Sequence, residues 1–188
     1  MIRSSRILPW LTVLTALCIL NACSPGPDPD AKRVLVACLT VSDVDASAIL
    51  GAQVEPFRLT GDDAPRAICA FNDAKSNTFA MVQLQKADNV KDVAAALAAD
   101  QQSIQTLLKD SIIPVVFHPA VGFGTGAFYV DNSVSPGVTS VQLHLIQNDY
   151  SIMVQVNNPK SFPDGEKQAA SLAHKMLDNM QNGTAYEQ

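Results

Sequence analysis

The clearest periodicity in the chain lies near its end. Ala169, Leu172, Ala173, Met176, Leu177 and Met180 recur at the spacing of one helical face, which predicts a helix over residues 164–181 with Gly183 as its stop. Before it, residues 139–147 and 150–157 alternate between apolar and polar. Val141, Leu143 and Leu145 should face the core with Ile152, Val154 and Val156, and Asn148-Asp149 should make the hairpin turn. Residues 78–85 alternate too, with Ala80, Val82 and Leu84 on one side and Gln83 and Gln85 on the other. Shorter strands are expected around 54–59, 67–72 and 115–117, and a loop and strand over 121–130.

Two further helices carry start signals. Thr40, with Asp43 three residues on, reads as a capping box, and the helix it opens puts Val41, Val44 and Ala48 on one face and stops at Gly51. Asn89 or Asp92 opens the other, which runs to about Lys109 with Val93, Leu97, Ile104, Leu107 and Leu108 as its buried stripe. Strands and helices are segregated, so the expected class is α+β: an antiparallel sheet with helices packed on one face, dividing into two α-β-β-β units plus a C-terminal helix. This single domain should span residues 34–182, followed by a frayed tail at 183–188.

The first 22 residues follow a different pattern. Arg3 and Arg6 precede an apolar run over residues 7–20 that is short for a bilayer-spanning helix, and a small residue, Ala22, stands before Cys23. Leu20-Asn21-Ala22-Cys23 resembles the processing motif of bacterial lipoproteins. That resemblance implies cleavage before Cys23 and diacylation of its sulfur. Residues 24–30, with three prolines, then read as an extended tether between the lipid and the domain. The expected address is exported and lipid-anchored. That means the periplasmic face of the outer membrane in a Gram-negative cell, and the outer face of the cell membrane in a Gram-positive or actinobacterial one.

Cleavage would leave 166 of the 188 residues, enough for one domain with its own core. It would also remove Arg3 and Arg6, leaving 11 basic against 18 acidic residues and a net charge of −7. An acidic chain without a basic run argues against nucleic acid as a partner and against electrostatic docking on anionic lipid. Membrane attachment would then rest on the acyl chains. Of the four cysteines, Cys18 leaves with the signal and Cys23 is acylated, so Cys38 and Cys69 remain as an even pair in an oxidising compartment. Their spacing is not that of a metal or redox motif, and one disulfide is expected. Closing that loop contributes roughly 3–4 kcal/mol in the chain-entropy model.

Several short features recur together: Cys38-Leu-Thr before a helix ending Ile49-Leu-Gly51, Cys69-Ala-Phe71 in a strand, the run from Val121 to Tyr129, a hairpin, and an alanine-rich closing helix with Leu172-Ala173. Together these resemble a family of small secreted lipoproteins of uncharacterised function that is common in actinobacteria. The resemblance covers about residues 37–181. It implies an α+β envelope domain and carries over no catalytic residue.

Reactive chemistry is sparsely signalled. Gly122, Gly124 and Gly126 could suggest a phosphate loop, but the residues after them read as a strand, whereas a phosphate loop opens a helix. With Phe123, Phe128 and Tyr129 alongside, this segment is instead a candidate lip for a ligand or partner. A plain turn is the simpler alternative. His118 is placed at a strand end, and His144 and His174 at solvated positions. None has a metal-ligating neighbour at suitable spacing, so no metal and no cofactor is expected. No nucleophile elbow is present. The leading expectation is therefore a non-enzymatic binding or interaction domain, its partner an envelope protein or a small apolar ligand. A sensor or accessory domain of an envelope or transport system is the alternative. A hydrolase would need a polar pocket converging on His118 or His144.

Overall fold

The computed structural model describes residues 34–61, 65–73, 75, 77–87, 90–109, 115–132 and 139–187. The expected signal, Cys23 and the expected tether lie outside these residues. The expected α+β class is the one observed. A short strand β1 (Val34–Leu35) and a 3-10 turn (Ala37–Leu39) lead into helix α1 (Asp43–Leu50). Strands β2 (Glu55–Arg58), β3 (Arg66–Asp73) and β4 (Thr78–Lys86) follow, then helix α2 (Val93–Leu108). Next come β5 (Val116–Pro119), β6 (Phe128–Asp131), β7 (Ser140–Gln147) and β8 (Tyr150–Asn157), helix α3 (Phe162–Gln181) and a last strand β9 (Tyr186–Glu187).

Seven strands form one antiparallel sheet in the order β2-β3-β4-β8-β7-β6-β5, so two meanders meet at the β4–β8 seam. The register at that seam sets Ala80 opposite Val156, Val82 opposite Val154 and Leu84 opposite Ile152. These side chains, with Val141, Leu143 and Leu145 of β7 and Phe71 of β3, form a buried layer under α3. From α3, Leu172, Ala173, Met176 and Met180 press into it. The turn between β7 and β8 is the expected Asn148-Asp149 pair, both at positive φ (52° and 61°), which matches the right-handed twist of the paired strands.

Helices α1 and α3 share one face of the sheet. Helix α2 lies on the opposite face, where the outward side chains of β6, Phe128 and Val130, give Leu97 an apolar seat. Positions 141 and 144 of β7 show the two sides directly. Val141 touches α3 beside Gly165, whereas His144 meets Asp100 of α2. The helices thus split between the faces because β6 is buried on both. The strand order keeps the two-meander pattern, but the second unit has four strands, and its opening helix takes the other face from α1.

Three local expectations are corrected. The cap of α1 is Ser42, whose hydroxyl accepts the Asp45 amide, because the Thr40 hydroxyl donates to the Ala37 carbonyl at 2.6 Å in the preceding turn. The buried face of the helix is also not the expected one: Ala46 and Leu50 are buried and Val44 is exposed. In α2, Leu107 is 81% exposed, because at about 100° per residue it sits well to the side of Leu97, whereas Leu108, nearly in line with Leu97, is half-covered. The tail does not fray: Ala185 is buried, its carbonyl accepts the Val36 amide, and β9 pairs with β1.

Candidate functional site

Cys38 and Cys69 sit at disulfide distance, with sulfurs 2.01 Å and Cα atoms 5.0 Å apart. The pair ties the 3-10 turn to the inner side of β3, so it fixes where α1 begins. The position of α1 in turn shapes a groove at that helix's end.

Residues 122–126 form a turn between β5 and β6 in which Gly122, Gly124 and Gly126 all have positive φ. At Gly126 the backbone also passes so close to α2 that an added Cβ would stand 3.0 Å from the Cα of Ala94. The three aromatic rings that suggested a lip are buried. Phe123 stacks on His174 at 4.5 Å, Phe128 faces α2, and Tyr129 faces the inner core. The large apolar side chain exposed here is Val121, just before the turn, at 90%. Gly122 and Gly124 therefore serve the positive φ angles of the turn and Gly126 also its close approach to α2, with the rings working as core rather than as a surface.

The histidines separate into three environments. His174 is exposed, as expected. His144 is not the solvated residue its alternation suggested, because α2 closes over it. Its ring lies parallel to Phe128 at 4.9 Å, its Nδ1 is 2.8 Å from Asp100 Oδ2, and its Nε2 is 3.2 Å from Gln142 Oε1. The row continues as Gln142 donates to Gln155 and Gln155 donates to Asn157. Gln155 both accepts and donates in this row and Asn157 accepts at its end, which satisfies polar groups on a half-covered sheet face. His118, at the β5 edge, stacks on Phe162 at 4.4 Å, and its Nε2 stands 3.9 Å from Asp131, beyond hydrogen-bond reach. Nearby, burial and then the negative charge of Glu166 push the Tyr129 hydroxyl up to about 12. Among the described residues, no group of three or more His, Cys, Asp or Glu side chains converges on a metal position.

A concavity lies elsewhere. It is an open groove of about 640 Å³ between the end of α1, the end of β8 and the first half of α3. Its size falls in the range of small-ligand sites. Its polar lining comes chiefly from Asn157, Asn158, Lys160, Asp164, Lys167 and Gln168. Three local structures build it. Gly51, at φ 70°, ends α1 in a left-handed cap. Asn158, at φ 55°, turns the chain out of β8 and pins it by donating from its side chain to the Asn77 carbonyl. Ser161 then caps α3, accepting the Asp164 amide while its hydroxyl donates to the Asp164 carboxylate at 2.7 Å. Gln168 bridges the walls through a long 3.4 Å bond to the Leu50 carbonyl, and its Oε1 is buried with no partner.

Neither His118 nor His144 lines this groove, and the groove was not anticipated from the sequence. A signal for it existed: Lys160, Asp164, Lys167, Gln168 and Ser171 repeat at helical spacing, a polar stripe beside the apolar face. The lining is polar, which shifts the ligand expected at such a site away from an apolar molecule. No family model matches the chain, and no match is found among curated proteins or among solved structures.

Proposed function

We propose that this chain is an exported lipoprotein, cut before Cys23 and acylated there, whose folded domain is a non-enzymatic binding module of the cell envelope. The single observation that carries the reading is the order of residues 1–23: two arginines, a short apolar run, Ala22 and then Cys23. The Cys38–Cys69 pair supports it, because structural disulfides belong to oxidising compartments outside the cytosol. A binding role draws support from the groove, whose amides, ammonium groups and carbonyls are suited to hold a polar molecule. Under this reading the prolines of residues 24–30 keep the domain off the bilayer, and the acyl chains, not the acidic domain, hold the protein there.

Intact-mass measurement of protein from a bacterial membrane fraction tests the anchor. The expected species begins at Cys23 and carries a diacylglyceryl group, and Cys23→Ser abolishes both the cut and the added mass. A free thiol at Cys23 in membrane-derived material, or an uncut wild-type precursor, overturns the proposal.

A further inference from the structure

We infer that the groove binds a small zwitterion, a free amino acid or short peptide. Its carboxylate would lie on the Lys160–Lys167 side and its ammonium group at the end of α1. This names the ligand class for the binding module proposed above and rests on that reading.

The two walls of the groove have opposite electrical sense. One is the beginning of α3, whose first turn presents the positive end of a helix. Lys160 stands just before its cap and Lys167 two turns on. Among the described residues neither lysine takes part in an ion pair, whereas Lys175 of the same helix is held by Asp45 at 3.3 Å. Asp164 is the carboxylate that lines this wall, and it is engaged by the Ser161 hydroxyl. Two ammonium groups against one carboxylate leave the wall net positive.

The facing wall is the end of α1, where a helix leaves carbonyls without partners. Ser47 O accepts the Gly51 amide and Leu50 O accepts from Gln168. The carbonyls of Ala48 and Ile49 receive no hydrogen bond among the described residues. Gln168, which reaches across to Leu50 O, carries in its Oε1 a buried acceptor with no partner among the described residues. That wall calls for a group with several N–H donors. An ammonium group brings three and carries the charge that the negative end of a helix favours. A simple anion would satisfy only the lysine wall, and a simple cation only the α1 wall. A zwitterion satisfies both.

The test uses the full-length protein purified in detergent, titrated with alanyl-alanine and with its N-acetyl, C-amide and doubly blocked forms. The expected result is saturable binding of the free dipeptide, weakened about fivefold or more by either block. Lys160→Gln with Lys167→Gln should weaken binding of the free dipeptide and leave binding of the C-amide unchanged. Equal binding of all four forms, or binding indifferent to the lysine substitutions at an unchanged melting temperature, overturns the proposal. So does the absence of binding by the wild type at about 10 mM dipeptide, an affinity too weak to be specific. Should the substituted protein not fold, the blocked dipeptides on the wild type still decide. None of these outcomes bears on the anchor, which the mass measurement settles separately.

Discussion

Helices α2 and α3 lie on opposite faces of one sheet, and they are held there in different ways. Helix α3 buries Ala169, Leu172, Ala173, Met176 and Met180 against a layer supplied by four strands. Helix α2 buries Leu97 alone, with Val93 and Ile104 half-covered, and it adds the polar bond from Asp100 to His144. One helix is part of the core. The other is a cover over the two-sided strand β6. An amphipathic pattern says that a helix has an apolar side, but the depth of burial depends on how much apolar surface waits opposite.

The largest test of that contrast is a pair of truncations. Met176→Ala should cost about 3 kcal/mol of unfolding free energy, because the side chain is fully buried in a layer with no room to collapse. Leu97→Ala should cost about 2 kcal/mol, at the lower end for a buried leucine, since a covering helix can settle into the gap. Urea unfolding with a shared slope measures both. Equal costs would mean that the two faces are packed alike. Hydrogen exchange sharpens the same point: amides of α2 should open at lower free energy than those of α3.

The same contrast explains what could be read from the sequence. The inner layer was legible because strict alternation in β4, β7 and β8 and the helical stripe of α3 all point one way. The Asn148-Asp149 turn was legible because both residues tolerate positive φ. The Cys38–Cys69 pair followed from counting. What failed were choices among neighbouring signals. Thr40 and Ser42 each stand three residues before an aspartate, and only the tertiary position of the 3-10 turn selects Ser42. Phe123, Phe128 and Tyr129 looked like one aromatic lip, yet adjacent strand positions send Phe128 and Tyr129 to opposite faces. The groove was hidden for another reason. It is made where the ends of α1, β8 and α3 converge, and no single stretch of sequence contains it.

A smaller effect is expected at the polar link under α2. His144 is largely covered and Asp100 is partly exposed, so their bond should couple by about 0.5–1.5 kcal/mol in a double-mutant cycle of Asp100→Ala and His144→Ala. Removing Asp100 alone leaves the His144 nitrogen near solvent, where water can replace the lost partner. Removing His144 also takes the ring from Phe128 and should cost more. A cycle that closes at zero would show that α2 is held by its apolar contacts alone.

The smallest expected change is the most pointed test of α2 as a cover. The expected buried stripe includes Leu107, three residues after Ile104, and a helix sunk into a core would bury it. In the structure it is 81% exposed, to the side of the stripe that Leu97 and Ile104 mark. Leu107→Gln keeps the length and helix propensity of the side chain, so it should shift unfolding free energy by less than about 0.5 kcal/mol. A loss near 2 kcal/mol would instead place Leu107 against an apolar surface in solution, and the division between a core helix and a covering helix would no longer hold.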